Sequence, residues 1–384
     1  MDKLNFLNTI TLITVFVMLL LAFFLLTVNT KNRISNRLFA SFLILTAFDL
    51  SSFFTDKYFE INLNFEVFRM TASLLIMPIF YLYVKAVCHS DFRLKPKHLA
   101  LIIPFAIVNL VFIPRFYLAS AIDTIYIYEH FKQMLEIRFF FILAELQYAF
   151  YIILVFIVLK KYKEIYLENY TNANNSSHKW LLQMTVFFLI AHCIVVYKLV
   201  IRYTDYNVFL NSANVIIGTI ALIISCWFVL KALNNPELFK SVDSTMLLVN
   251  ETLNTKTVSA EKESFEIKKS AQIVSQIELV KKYVLENQPY LEPSLTIQEL
   301  SKQVTIPVRD LSVLINHHMN QHFFDFINEY RIQKAMEILK DASKSKLTIL
   351  EILYEVGFNS KSSFNTAFKK YTNQTPTEFR NSSL

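Results

Sequence analysis

TILEILYEVGFNSKSSFNTAFKKYTNQTPTEFR, residues 348–380, decides how this chain is read. At its centre stands Gly357, one of only two glycines in 384 residues. A glycine so isolated marks a backbone position that needs φ > 0. Ahead of it, Thr348 and Glu351 have the spacing of a capping box, and Leu347 and Ile352 that of a hydrophobic staple. Ile349, Ile352, Leu353 and Val356 then form one apolar face. Gly357 interrupts it, and Ser360 is placed to cap a second helix carrying Phe364 and Phe368. Helix, tight turn, helix is the outline of a motif whose second helix can enter a DNA major groove.

The outline occurs twice. TIQELSKQVTIPVRDLSVLINHHM, residues 296–319, repeats the cap at Thr296 and Glu299 and the staple at Leu295 and Leu300. Thr305 falls where Gly357 does, and Leu311 where Phe364 does. Between the copies, FFDFINEYRIQKAMEILKD, residues 323–341, reads as an amphipathic connecting helix. The expected units are a first helix-turn-helix at about 296–318 and a second at about 348–371.

At these residues the chain resembles the AraC/XylS family of transcription regulators, over 271–380. The pattern G-F-x-S-x-S-x-F-x-x-x-F-K from Gly357 to Lys369, then T-P-x-x-F-R from Thr375 to Arg380, carries the likeness. It implies sequence-specific binding of double-stranded DNA and control of transcription. The chain departs from the family at Thr305, where Gly or Asn is usual, at Pro307, where a capping Ser is usual, and at Asn373, where a glycine is usual. A β-branched residue at positive φ is strained by about 1 kcal/mol, so the first turn is expected to use another geometry. Asn373 tolerates the left-handed region.

The recognition faces follow from helical spacing. Lys361, Ser362, Asn365 and Thr366 lie opposite Phe364 and Phe368; Arg309, Ser312, Val313 and Asn316 take the matching places around Leu311 and Ile315. Arg309 is suited to guanine, and Asn316 or Asn365 to adenine. Lys361, Lys369 and Lys370 are suited to phosphates. Net charge contributes little: from Gln276 onward there are 13 basic and 12 acidic side chains, so the overall +7 comes mostly from the N-terminal part. From Lys344 onward the ratio is six to three, which makes the second unit the stronger DNA contact.

The N-terminal part is of another kind. Hydrophobic residues make up 54% of the chain and charged ones only 18%, and the apolar residues concentrate in the first 232 positions. Segments near 9–28, 38–55, 66–88, 98–114, 137–160, 180–201 and 209–231 are each long enough to cross a bilayer core of about 30 Å. The expected fold is all-α: a seven-helix membrane bundle over 1–232, a linker over 233–270 with a short helix near Met246, and a DNA-binding domain over 271–384. Lys31, Arg33 and Arg37 in the first connection, Arg93, Lys95 and Lys97 in the third, and Lys160, Lys161, Lys163 and Lys179 in the fifth make the odd connections basic. The positive-inside rule then puts the N-terminus outside and the C-terminus in the cytoplasm, where DNA binding requires it. The first span lacks a small-residue cleavage site and reads as a retained anchor.

Catalytic and metal chemistry find no support. Cys88, Cys193 and Cys226 lie in spans with no ligand spacing, and read as small hydrophobes. His318 and His322 are spaced i, i+4, but Met319 stands where a zinc protease has Glu, so they read as surface histidines. No phosphate-binding loop or nucleophile constellation appears, and no cofactor is expected. Polar residues inside spans are more informative. Asp49, Arg69, Asn109, Glu145, His192 and Asn214 interrupt six spans in what would be the outer half. Intramembrane ionisable groups usually face a bundle interior or wet cavity. Asp49, Arg69, Glu145 and His192 are therefore candidate contacts for a small polar or charged ligand. The reading is a membrane-tethered one-component regulator, with a homodimer compatible with it. The alternative is a membrane transporter or enzyme with a regulatory helical domain, in which Glu145 and His192 relay protons.

Overall fold

The computed structural model describes residues 3–28, 33–55, 62–89, 92–171, 176–201, 208–234 and 264–383. Among the described residues there is no strand; the protein is helical throughout. It divides into two compact units, one of Met1–Lys160 with Ser176–Asp243, the other of Lys161–Asn175 with Ser244–Leu384.

The first unit contains α1 (Lys3–Thr27), α2 (Arg33–Leu50), α3 (Leu63–Ala72), α4 (Ile76–Cys88), α5 (Ile103–Phe112), α6 (Ala121–His130), most of α7 (Leu135–Asn169), α8 (Ser176–Ile201) and α9 (Val208–Asn234). Among the described residues, seven helical stretches are long and apolar enough to cross a membrane, and they overlap the seven expected. Two of them are not straight α-helices, for a local reason. Pro78 has no N–H to give to Leu74, and the chain there runs through a 3-10 turn, Ser73–Leu75, joining α3 to α4. Gln147 on α7 donates to the freed Leu74 carbonyl at 2.8 Å. In the fourth stretch, Pro114 sits in a π-helical turn, Ile113–Tyr117, which ends α5.

Aromatic packing holds this unit together. Phe39 stacks on Tyr83 at 4.7 Å and meets the edge of Phe228, while the Trp180 indole donates to the Tyr83 hydroxyl at 3.2 Å. Gly218 on α9 faces α1: an added Cβ would stand 3.0 Å from Leu7, so the glycine permits the close approach of those two helices.

The second unit contains α10 (Ser264–Asn287), α11 (Ile297–Val304), α12 (Val308–Val313), α13 (Phe323–Lys340), α14 (Ile349–Glu355), α15 (Lys361–Thr372) and α16 (Pro376–Ser383). α10 begins seven residues ahead of the expected boundary at 271. α9 extends to Asn234, two residues into the expected linker. The rest of that linker, with the helix anticipated near Met246, lies outside the described residues.

α13 serves two cores. Phe323, Phe326 and Ile327 pack with Val280, Val284, Leu300, Leu311 and Ile315. Ile332, Ala335, Ile338 and Leu339 pack with Ile352, Val356, Phe364 and Phe368. Each such Phe, Ile or Leu contributes about 1.5–3 kcal/mol by burial, so the connecting helix is a structural member of both helix-turn-helix units.

Candidate nucleic-acid interface

Both units form as their caps require. Glu299 Oε2 accepts from the Thr296 N–H at 2.7 Å, and Glu351 Oε2 from the Thr348 N–H at 2.7 Å; each threonine hydroxyl accepts from its glutamate's N–H at 3.2 Å. These bonds hold the Glu351 carboxyl below the usual range. A third box follows the same logic. Thr375 caps α16, Pro376 occupies the first position, where its missing N–H costs nothing, and Glu378 Oε2 accepts from the Thr375 N–H at 2.7 Å.

The turns are where sequence expectation and structure part. Gly357 has φ +88°, as anticipated. A Cβ there would lie 2.5 Å from the Tyr290 carbonyl oxygen and 2.8 Å from that of Leu291. Conformation and space therefore both demand glycine. Thr305 was expected to avoid the left-handed region, yet its φ is 56° and ψ 30°. The chain must reverse between Val304 and Ile306, both buried, and the Ser301 hydroxyl donating to the Ile306 carbonyl at 2.5 Å ties the turn down. Tertiary packing overrides the β-branched preference. Asn373 is left-handed too, φ 59°, and closes α15.

The two candidate recognition helices differ. α15 starts with Ser360 as a side-chain cap and runs for 12 residues. Lys361, Ser362, Thr366 and Lys369 are exposed along it and Asn365 is half-buried, all on the side away from the buried Phe364 and Phe368. Lys370 makes an ion pair: its Nζ is 2.6 Å from Asp325 on α13. The Tyr371 hydroxyl donates to the Asp325 carbonyl at 2.8 Å. Both bonds tie α15 to the connecting helix, and Lys370, anticipated as a phosphate contact, stays largely exposed in that ion pair.

α12 is shorter. Pro307 precedes it without a side-chain cap, and after six residues the helix relaxes into a π turn, Leu314–His318. Arg309 is exposed, and Ser312 and Val313 are half-buried. Asn316 differs from its expected role as a base reader. Its Nδ2 donates to the Ser312 hydroxyl at 3.0 Å and its Oδ1 accepts from the Phe323 N–H at 3.0 Å. That amide fastens the loop into α13.

Arg331 on α13 was missed by sequence reading. It is 1% exposed, and burial pulls its guanidinium down to about 10, still charged at neutral pH. Nε donates to the Tyr290 carbonyl at 2.6 Å, Nη2 to the Glu292 carbonyl at 2.7 Å, and Nη1 to Asn328 Oδ1 at 3.1 Å. Within the same unit, Nη2 also reaches the Thr171 hydroxyl at 3.4 Å, and that hydroxyl donates to the Leu295 carbonyl at 2.9 Å. The guanidinium lies 5.5 Å from the Phe358 ring. Arg331 thus clamps the turn that Gly357 presses against. The available signal was its core spacing, four residues after Ile327 and seven before Ile338.

In the first unit the structure brings Glu145 and His192 together: Nε2 of the histidine is 2.9 Å from Glu145 Oε2, and its ring stacks on Tyr148 at 3.4 Å. It does not gather the other candidates around them. Arg69, 7% exposed, donates to the Thr55 hydroxyl at 2.7 Å, and Asn109 accepts from Tyr117 and Thr71. Asp49 lies on α2 with interactions of its own.

Residues 300–382 match the family described as "Helix-turn-helix domain". The same region is similar to named regulators. The HTH-type transcriptional regulator GlxA of Rhizobium meliloti is 32% identical over 90 residues, 23% of this chain and 27% of that protein. The HTH-type transcriptional regulator ArgR of Pseudomonas aeruginosa is 30% identical over 91 residues, 24% of this chain and 27% of that protein. An uncharacterized HTH-type transcriptional regulator of Pseudoalteromonas carrageenovora is 44% identical over 54 residues, 14% of this chain and 30% of that protein. The chain thus spans about a third or less of the length of these relatives. No solved structure matches. The C-terminal part therefore carries a helix-turn-helix domain.

Proposed function

We propose that the chain is a membrane-tethered one-component transcription regulator. The seven apolar helices anchor it and sense a signal, and the C-terminal unit binds promoter DNA from the cytoplasm. The observation that carries the reading is α15: a capped helix, fastened through Lys370 and Tyr371 to a connecting helix, presenting Lys361, Ser362, Asn365, Thr366 and Lys369 on its free side. Lys361 and Lys369 hold phosphates; Asn365 and, in the first helix-turn-helix, Arg309 read base edges, while Ser312 and Val313 line the same face. Basic odd connections support an outside N-terminus.

The test is genome-wide mapping of DNA bound by the full-length chain in its own cells. Discrete promoter peaks are expected, weakened alike on Lys361→Ala. A cytoplasm-only reporter fused after Leu384 and an outside-only reporter after Asp123 should both be active. A second reading is favoured by one observation, the Glu145–His192 pair, which has proton-relay geometry. If the chain is a transporter with a regulatory domain, Glu145→Gln abolishes transport, and no promoter peaks are found.

A further inference from the structure

The first unit contains a half-open pocket of about 200 Å³. Its wall comes from α1, α2, α4, α7, α8 and α9, every one part of a stretch able to cross a membrane. Met18, Phe42, Ile220 and Phe228 represent the lining, which is almost wholly apolar. A volume of 150 Å³ is large enough for benzene. Such a lining suits a mainly apolar molecule and not the small polar or charged ligand that the polar residues of the spans suggest.

Three wall residues carry polar groups, and their bonding narrows the class further. The Thr46 hydroxyl donates to the Phe42 carbonyl at 2.8 Å, and the Tyr148 hydroxyl to the Phe188 carbonyl at 2.9 Å. His192 gives Nε2 to Glu145. The other ring nitrogen, Nδ1, donates or accepts according to the tautomer. Among the described residues Nδ1 has no partner. The wall thus offers one ring nitrogen able to bond a ligand, beside an aromatic face supplied by Tyr148 and two hydroxyls that keep acceptor lone pairs.

We propose that this pocket binds a small lipophilic molecule of about nine heavy atoms bearing one hydroxyl, which hydrogen-bonds to His192 Nδ1. Glu145 positions the ring without touching the ligand. α9 contributes the largest share of the wall and leads into the segment before the DNA-binding unit. A ligand favouring one packing of α9 would bias that unit. The assignment rests on the sensor reading above and names its ligand class.

The experiment uses the full chain in lipid nanodiscs, with 4-ethylphenol and its near-isostere ethylbenzene as probes and thermal unfolding as readout. The wild type should be stabilised saturably by 4-ethylphenol at about tenfold lower concentration than by ethylbenzene, the ratio one hydrogen bond supplies. His192→Phe should bring 4-ethylphenol to the level of ethylbenzene. Ala221→Phe and, independently, Ala191→Phe should fill the space and abolish both responses. Equal potency of the two probes on the wild type overturns the proposal, and means that the pocket holds only an apolar chain such as a lipid tail. A response that never saturates, or survives in both filled variants, also overturns it as partition into lipid. Promoter binding is measured on the same preparations. Its absence overturns the regulator reading, whereas its presence without probe selectivity overturns the ligand assignment alone.

Discussion

Thr296 with Glu299 and Thr348 with Glu351 close matching capping boxes, and each helix they start ends at a left-handed residue. Beyond the two turns the chain behaves differently. Gly357 presses on the backbone of Tyr290 and Leu291, Ser360 caps α15, and a 12-residue helix forms. Thr305 holds a strained conformation, Pro307 leaves α12 uncapped, and six residues later the helix unwinds into a π turn. The comparison shows that a helix-turn-helix outline can be kept by packing where its local chemistry is poor. It also shows where local chemistry still matters: in the length and regularity of the second helix of each pair.

The largest predicted difference is at the turns. Gly357→Val places a branched side chain at φ +88° with its Cβ against two carbonyl oxygens, and should cost about 3 kcal/mol or more. Melting of the second unit should fall accordingly and DNA binding should be lost. A Gly357→Val chain that melts and binds normally would dissolve the distinction between the turns.

Next come the faces. Arg309→Ala should cost about 1–3 kcal/mol at the preferred site and relax the choice of one base pair. Lys361→Ala should weaken binding to many sequences alike and lower the salt slope by about one. Binding isotherms at several salt concentrations separate these outcomes, and two flat results would show that the faces are misassigned.

Capping gives a smaller contrast. Ser360→Ala should lose about 1 kcal/mol, because Ser360 accepts from the Ser363 N–H. Pro307→Ala should change stability by less than about 0.5 kcal/mol, having no side-chain cap to lose. Equal losses in denaturant titrations would mean the helices do not differ at their starts. In the opposite direction, Thr305→Gly should stabilise the first unit by about 1 kcal/mol by relieving the left-handed strain. Destabilisation instead would show that the threonine contributes a contact worth more than its strain.

The smallest effect is on pH. Hydrogen bonds from Thr348 hold Glu351 below its ordinary value, and those from Thr375 do the same for Glu378. A carboxyl lowered on folding stabilises above its unfolded value, and that contribution is lost as pH falls through the folded one. Glu351→Gln should therefore flatten the acid limb of stability below about pH 4.5 and leave its shape above that unchanged. Melting curves taken across that range check it.

Much of this was legible in the residues, because it depends on neighbours in sequence. Capping boxes join residues three apart, a lone glycine signals positive φ, and an apolar run long enough to span a bilayer needs no partner to be recognised. The seven spans, the two helix-turn-helix units and the face of α15 were of this kind. Tertiary structure alone decided what depends on distant segments. Thr305 is left-handed because buried residues on both sides force the reversal. Asn316 and Lys370 bond to α13, and Arg331 is buried because carbonyls 39 and 41 residues away require a donor. Glu145 met His192 while Arg69 turned to Thr55, and the pocket beside His192 is apolar because six helices bring apolar side chains together there. Periodicity shows which side of a helix is apolar. Which helix comes to lie against it, and which polar atoms are left over, is settled only when the segments pack.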